Sequence, residues 1–222
     1  MPTERPTDRH RPRSRAIVTV ESVPEEATWA ELWGLYHATF EPLQELALLN
    51  HLYSRQEFEA LLANPVVTKL VARANGVPVG LAMITNELTV VPQISPPFLR
   101  VRYPDEAERG AVFFGILICV DTTRRRSAVF ARLIAGMAQI TANAGGVVVF
   151  DICRHNVDGL ELDRQIGSFT RWFPGSTFDQ IDQQQYFAAR IPAPAGDRLP
   201  VSAVPDELPT PAAPAADPIA VT

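Results

Sequence analysis

The chain has 222 residues, 46% of them hydrophobic, enough to bury the core of one ordinary domain. A net charge of −5 gives no general basic field, which argues against nucleic acid as a partner despite local arginine clusters. The longest apolar run, Ala111 to Val120, is too short to span a bilayer, and no apolar stretch of signal-peptide length follows the N-terminal MPTERPTDRHRPRSR, so a soluble protein is expected.

Residues 1–15, rich in Pro and Arg, and residues 193–222, rich in Pro, Ala and Asp, lack the large apolar side chains that offset the entropy of ordering. Both are expected to be disordered tails around one domain, residues 16–192. In chain order, AIVTVES predicts a first strand, and Thr28 with Glu31 forms a capping-box pattern before the helical run WAELWGLYHATF. Ser54 with Glu57 repeats that pattern before EFEALLA, which Asn64-Pro65 ends. TKLVARA and VPVGLAMITNELTVV then predict a hairpin turning at Asn75-Gly76, where asparagine and glycine supply positive φ.

The following VPQISPPFLRVRYPDEAERG is long and irregular, and its Phe98, Leu99 and Tyr103 suggest an ordered lid. AVFFGILICVD is continuously apolar, as expected of a central strand covered on both faces. After it, Phe130, Leu133, Ile134, Met137 and Ile140 recur at helical spacing up to Gly145-Gly146, and VVVFDIC predicts a parallel strand reached by a right-handed crossover. Asn156 or Asp158 can cap a helix running to Gly167, and STFDQI and QQYFAARI predict two closing strands. The fold class is therefore α/β, an α+β mixed sheet in the order β-α-α-β-β-β-α-β-α-β-β. Cys119 and Cys153 both sit in apolar runs, which suits reduced buried thiols and a cytoplasmic protein. No metal-ligand spacing occurs, so no metal is expected.

The turn VDTTRRRSAVF between the central strand and the next helix carries the strongest chemical signal. A helix N-terminus has unsatisfied N–H donors and a positive dipole end, and Arg124, Arg125 and Arg126 add guanidinium groups that bind phosphate bidentately. Three cations there oppose the dipole unless an anion answers them. Ala128 is small enough to let a phosphate approach, whereas Phe130 would narrow the route if it faced the ligand. The alternative is a solvated helix start.

In element order and at this turn the chain resembles the GNAT superfamily, N-acetyltransferases that use acetyl-CoA. Their fourth strand enters a helix through Arg/Gln-x-x-Gly-x-Gly/Ala, whose N–H groups hold the CoA pyrophosphate. Here Arg125-Arg126-Ser127-Ala128-Val129-Phe130 stands in that place, with Val120 at the strand end; the arginine matches and the glycines do not. A second partial match is Asn156, Gly159, Leu162, Asp163 and Gly167, with Asp163 where the family has tyrosine. The resemblance implies a GNAT-like acyl-CoA N-acyltransferase fold and acetyl-CoA or another acyl-CoA as co-substrate. It implies Val120, Arg124, Arg125, Arg126, Ser127, Ala128 and Asn156 as the residues that hold it. The implied acceptor is the amine of a small molecule or peptide, with no nucleic acid or membrane partner and with a homodimer admitted.

Transfer to an amine needs a base, and the departing thiolate benefits from an acid. The family's usual glutamate and tyrosine are replaced here by Phe114 and Asp163. Candidates for proton transfer are Glu87, placed on the third strand, His155, and Asp163, which could equally be an ordinary helix-face carboxylate. Asp121, His37, Tyr103 and Tyr186 carry less weight. Ile94, Phe98 and Leu99 of the insertion suit an acyl tail or ordinary loop packing, as in the acyl-homoserine-lactone and N-acyl amino acid synthases that the insertion resembles in general form. Two classes remain: an acyltransferase, and a non-catalytic acyl-CoA-binding or protein-interaction module on the same fold.

Overall fold

The computed structural model describes residues 16–48, 52–121, 123 and 128–190. The chain divides into two compact units, Met1–Phe178 and Asp179–Thr222. In the first, strands β1 (Ile17–Glu21), β2 (Thr68–Ala74), β3 (Val77–Thr85), β4 (Val112–Val120) and β5 (Val147–Val149) form one sheet in sequential order. β1 to β4 are antiparallel neighbours and β4 pairs with β5 in parallel. This mixed sheet with helices is the α/β class that the sequence predicts.

Helices α1 (Trp29–Phe40) and α2 (Arg55–Ala63) cover one face of the sheet, packing Leu32, Tyr36, Phe58 and Leu62 onto Val71, Leu81, Met83, Leu117 and Cys119. Helix α5 (Val129–Asn143) covers the other, setting Val129, Leu133 and Met137 against Leu70, Ala72, Ala82 and Phe113. Covering on both faces explains why β4 reads as an unbroken apolar run. The hairpin turns where expected, with Asn75 at φ 53° and Gly76 at φ 83°. Gly145, at φ 57°, follows α5 and lets the chain leave it.

The capping box at Ser54 forms, its hydroxyl accepting from Glu57 N while the Glu57 carboxylate accepts from Ser54 N at 2.7 Å. The one at Thr28 does not: that hydroxyl donates to Glu25 O at 2.8 Å, inside a short 3-10 turn, Glu26–Thr28, that precedes α1. The expected lid holds two short helices, α3 (Pro96–Arg102) and α4 (Pro104–Glu108), each with proline in its first turn. Leu99 is buried beneath it, Phe98 is exposed, and Asn86 Nδ2 donates to Gly110 O at 2.9 Å across its base.

The single helix expected to Gly167 is two, α6 (Arg154–Leu160) and α7 (Leu162–Gly167), parted at Glu161 with φ 48°. Gly159, a poor helix former, precedes the break, and neither Asn156 nor Asp158 caps: both lie inside α6, whose N-cap is Cys153. The two closing strands are not formed among described residues 176–190. Asp179, Gln180 and the run Asp182 to Gln185 interrupt the apolar alternation that would give a strand a buried face. In the second unit Tyr186 and Phe187 are exposed. The expected disordered tails lie outside the described residues. Cys119 and Cys153 are free thiols, and among the described residues no helix is long and apolar enough to cross a membrane.

Candidate functional site

The most distinctive local geometry is the parting of β4 from β5. Against β3, β4 carries an irregularity: Met83 pairs with Leu117 and Ile84 with Gly115, leaving Ile116 as the extra residue. Against β5, only Val112, Phe113 and Phe114 pair, with Val147, Val148 and Val149. From Gly115 to Val120 the β5-side edge of β4 therefore has no β5 partner among the described residues. At Gly115 a Cβ atom would stand 3.4 Å from Phe150 Cβ and 2.9 Å from Met137 Cε, so Phe150 lies on the α5 side of the parting strands. Side chains alternate along an extended chain, which puts Asp151 on the opposite side, toward α1 and α2.

That side holds a polar group of residues drawn from four stretches of sequence. Tyr53, just before α2, donates its backbone N–H to the Tyr36 hydroxyl at 2.8 Å, and its own hydroxyl accepts from Gln93 Nε2 at 3.3 Å. Burial pushes the Tyr36 phenol up to about 12. It also raises Tyr53, to which the charges of Asp151 and Glu57 add. Both phenols stay protonated at neutral pH. Burial lifts the Cys119 thiol to about 12 as well, which leaves it inert as a nucleophile. Asp151 is exposed as a residue, yet protein crowds its carboxyl on most sides. That crowding raises its pKa above the ordinary aspartate value, opposed only by a hydrogen bond from its own backbone N–H.

Asp151, Tyr53 and Gln93 are absent from the sequence-derived candidates. Asp151 reads as the polar end of a covered strand, Gln93 as loop, and Tyr53 as the residue before a cap. Only the tertiary contact between the stretch before α2, the insertion and the end of β5 gives them a shared environment.

The expected ligand residues are placed unevenly. Val120 ends β4 opposite Gly80 and is buried. Arg124, Arg125, Arg126 and Ser127 lie outside the described residues. Ala128 is the exposed N-cap of α5. Phe130 is half-buried and packs against the core cluster beneath α5. Asp121 is held locally, its carboxylate accepting from Thr123 N at 2.8 Å and Thr123 Oγ1 at 2.6 Å. Asn156 is half-buried within α6, beside exposed His155. Asp163 is half-buried in the first turn of α7, where the helix dipole favours a carboxylate.

Glu87 is not on the third strand. It lies two residues beyond β3, fully exposed, accepting from Thr89 N at 3.3 Å and Thr89 Oγ1 at 2.6 Å. Those bonds, with a smaller contribution from Arg100, hold its carboxyl below the ordinary range. It borders a cleft of about 170 Å³ shared with Arg100, Ala107 and Gly110. Thr85 pairs with Phe114 and Gly80 with Val120, so Glu87 stands near the N-terminal end of β4, roughly 25 Å from Val120 at about 3.3 Å per residue. His37 pairs with Glu41 at 3.2 Å and packs on Trp33, at the outer side of α1. Tyr103 is half-buried at the junction of α3 and α4, and Tyr186 belongs to the second unit. Among the described residues no group of His, Cys, Asp and Glu could hold a metal ion.

No protein-family model matches the chain, and no curated protein matches it. Among solved structures the fold is similar to that of several N-acetyltransferases. One is an aminoglycoside N-acetyltransferase in complex with CoA, 16% identical over 80% of this chain and 97% of that chain, with a TM-score of 0.48. Another is the ribosomal-protein-alanine N-acetyltransferase from Brucella melitensis biovar Abortus 2308, 17% identical over 79% of this chain and 99% of that chain, at 0.47. A third is the aminoglycoside antibiotic 6'-N-acetyltransferase from Acinetobacter haemolyticus, 18% identical over 78% of this chain and 99% of that chain, at 0.48.

Proposed function

We propose that this chain is a GNAT-like acyltransferase that moves an acetyl or longer acyl group from acyl-CoA to an amine of a small molecule or peptide. The observation that carries the reading is the parting of β4 and β5 after Phe114 and Val149. It leaves the backbone of Gly115 to Val120 without a β5 partner, and an extended ligand can pair with such an edge as an added strand does. The amide-bearing arm of acyl-CoA has the donors and acceptors for that pairing. The edge runs toward the turn holding Arg124, Arg125 and Arg126 and toward the first N–H groups of α5, a 15-residue helix. A pyrophosphate at that end would meet both. Phe130 packs on the core, which supports an open approach past Ala128.

Acyl-CoA supplies an activated thioester; the chain's own residues hold it, bring the amine to the carbonyl carbon and take the proton. Holding two reactants in line contributes much of the rate in such a transfer. Glu87, exposed at the end of β4 away from Val120, is also placed as a non-catalytic acyl-CoA-binding module would leave it, and that keeps the second reading alive.

Titration calorimetry with CoA tests the reading. Arg125→Ala combined with Arg126→Ala should weaken binding at least about tenfold, since each guanidinium contributes charge-assisted bonds to phosphate. Equal affinity for wild type and the double variant would remove the arginine turn from the site.

A further inference from the structure

We infer that Asp151, at the point where β4 and β5 part, is the general base for the acceptor amine. This rests on the acyltransferase reading above. Asp151 lies two residues past Val149, the last β5 residue paired with β4, and so stands level with the extra residue Ile116. Phe150 occupies the α5 side of the strands, leaving Asp151 to face the cover of α1 and α2. Its carboxylate is near enough to the Tyr53 hydroxyl to act on it, as is Glu57 of α2, and Tyr36 of α1 adjoins both through Tyr53 N. The same residue remains exposed, so a substrate can reach it from solvent.

Three other carboxylates on the chain can be compared with it. Asp121 is bound twice by Thr123, Glu87 twice by Thr89, and Glu21 is paired with Arg73. At Glu87 and Glu21 the bonds and the Arg73 cation stabilise the anion and make it a weaker base. At Asp151 no cation among the described residues offsets the crowding. A carboxylate crowded by protein, whose one lowering hydrogen bond among the described residues is from its own N–H, binds a proton more readily than one ringed by water. Together with Glu57, which also acts on Tyr53, Asp151 favours an acceptor that arrives as a cation, hence an ammonium.

The step is balanced as follows. The ammonium loses one proton to the Asp151 carboxylate, and the freed amine nitrogen forms a C–N bond to the thioester carbon, shedding its second proton to water as the bond forms. The C–S bond breaks, and its electron pair leaves on the CoA thiolate. That thiolate takes a proton from water, and Asp151 returns its own to solvent.

The test measures CoA release from acetyl-CoA with a panel of primary amines, amino acids and short peptides, using the full chain and Asp151→Asn. Calorimetric affinity for acetyl-CoA and the melting temperature are followed in parallel. In the wild type, kcat/KM should fall at acid pH as Asp151 takes up a proton. In Asp151→Asn it should be lower by about 10² to 10⁴-fold, with that acid limb gone and acetyl-CoA affinity unchanged. A rate within twofold of wild type, or an acid limb that survives, would overturn the base assignment while leaving the acyl-CoA reading in place. Acetyl-CoA binding with no turnover for any amine would also overturn it and favour the binding module. Absence of acetyl-CoA binding to the wild type would bring down both. Asp151→Ser, read against the same outcomes, covers the case in which the asparagine variant does not fold.

Discussion

Lys69 is the chain's only lysine, and its side chain has no exposed surface. Its ammonium donates to Ser22 O at 2.7 Å and Asn64 O at 2.6 Å, tying the end of β1 to the α2–β2 connection. Those bonds favour the charged form, but loss of water outweighs them and lowers the pKa from 10.5 to about 8. The folded state therefore releases this proton near pH 8 while the unfolded chain keeps it to 10.5, so folding gains stability as pH rises through that window. Cys119 and Tyr36 act in the opposite sense. Each is raised to about 12, from 9.0 and 10.0, so each costs stability once the unfolded chain ionises above those values. Melting temperature should rise between pH 8 and 9 by the equivalent of about 1 kcal/mol, level off, and fall above 10. Lys69→Met should lose the rise and keep the fall. Because the methionine leaves two carbonyls without their donor, the slope with pH is the measurement, not the absolute stability. An unchanged rise in the variant would assign it to another group.

At the scale of elements, the site depends on how β5 enters beside β4. Gly146 precedes β5, and a Cβ there would lie 2.1 Å from the Ala111 carbonyl oxygen, to which Val147 N donates at 3.0 Å. Backbone cannot yield as a side-chain tip can, so Gly146→Ala has to move β5 away from β4. Destabilisation of about 2 kcal/mol or more is expected, a melting-temperature drop of roughly 4–8 °C for a domain of this size. A variant that melts with the wild type would mean that β5 is not held against β4 by this contact. The sequence reveals such elements to different depths. Period and capping make α1, α2, the Asn75-Gly76 hairpin, β4 and α5 legible, because each carries its signal within about 15 residues. The extra residue Ile116 is invisible, since an unbroken apolar run looks the same with or without an irregular pairing. Thr28 carries a capping pattern that an intervening 3-10 turn redirects to Glu25. Asp151 is missed because its character comes from burial in the folded chain, which its local run does not display.

Across the molecule, the first unit combines a strand edge that β5 leaves open, a face already filled with aromatic side chains, and, between β4 and α5 in the sequence, three consecutive arginines. The filled face bears on donor length. Leu32, Tyr36, Phe58, Leu81 and Met83, beneath the α1 and α2 cover, have relative exposures of 0–1%, and Tyr36 stacks on Phe58 at 4.8 Å between centroids. A long acyl chain directed to that side would have to displace packed side chains, whereas an acetyl group ends before reaching them. Close-packed interiors yield such space only at a cost of about 1–3 kcal/mol for each extra group forced in. Acetyl-CoA should therefore stabilise the chain at least as much as octanoyl-CoA. At 100 times its dissociation constant a ligand adds about 2.7 kcal/mol, or roughly 5–10 °C in melting temperature for a domain of this size. Thermal unfolding with CoA, acetyl-CoA and octanoyl-CoA at equal concentration measures this directly. A clearly larger rise with octanoyl-CoA would show that the α1 and α2 cover opens to admit the chain, or that Phe98 and Ile94 of the insertion receive it.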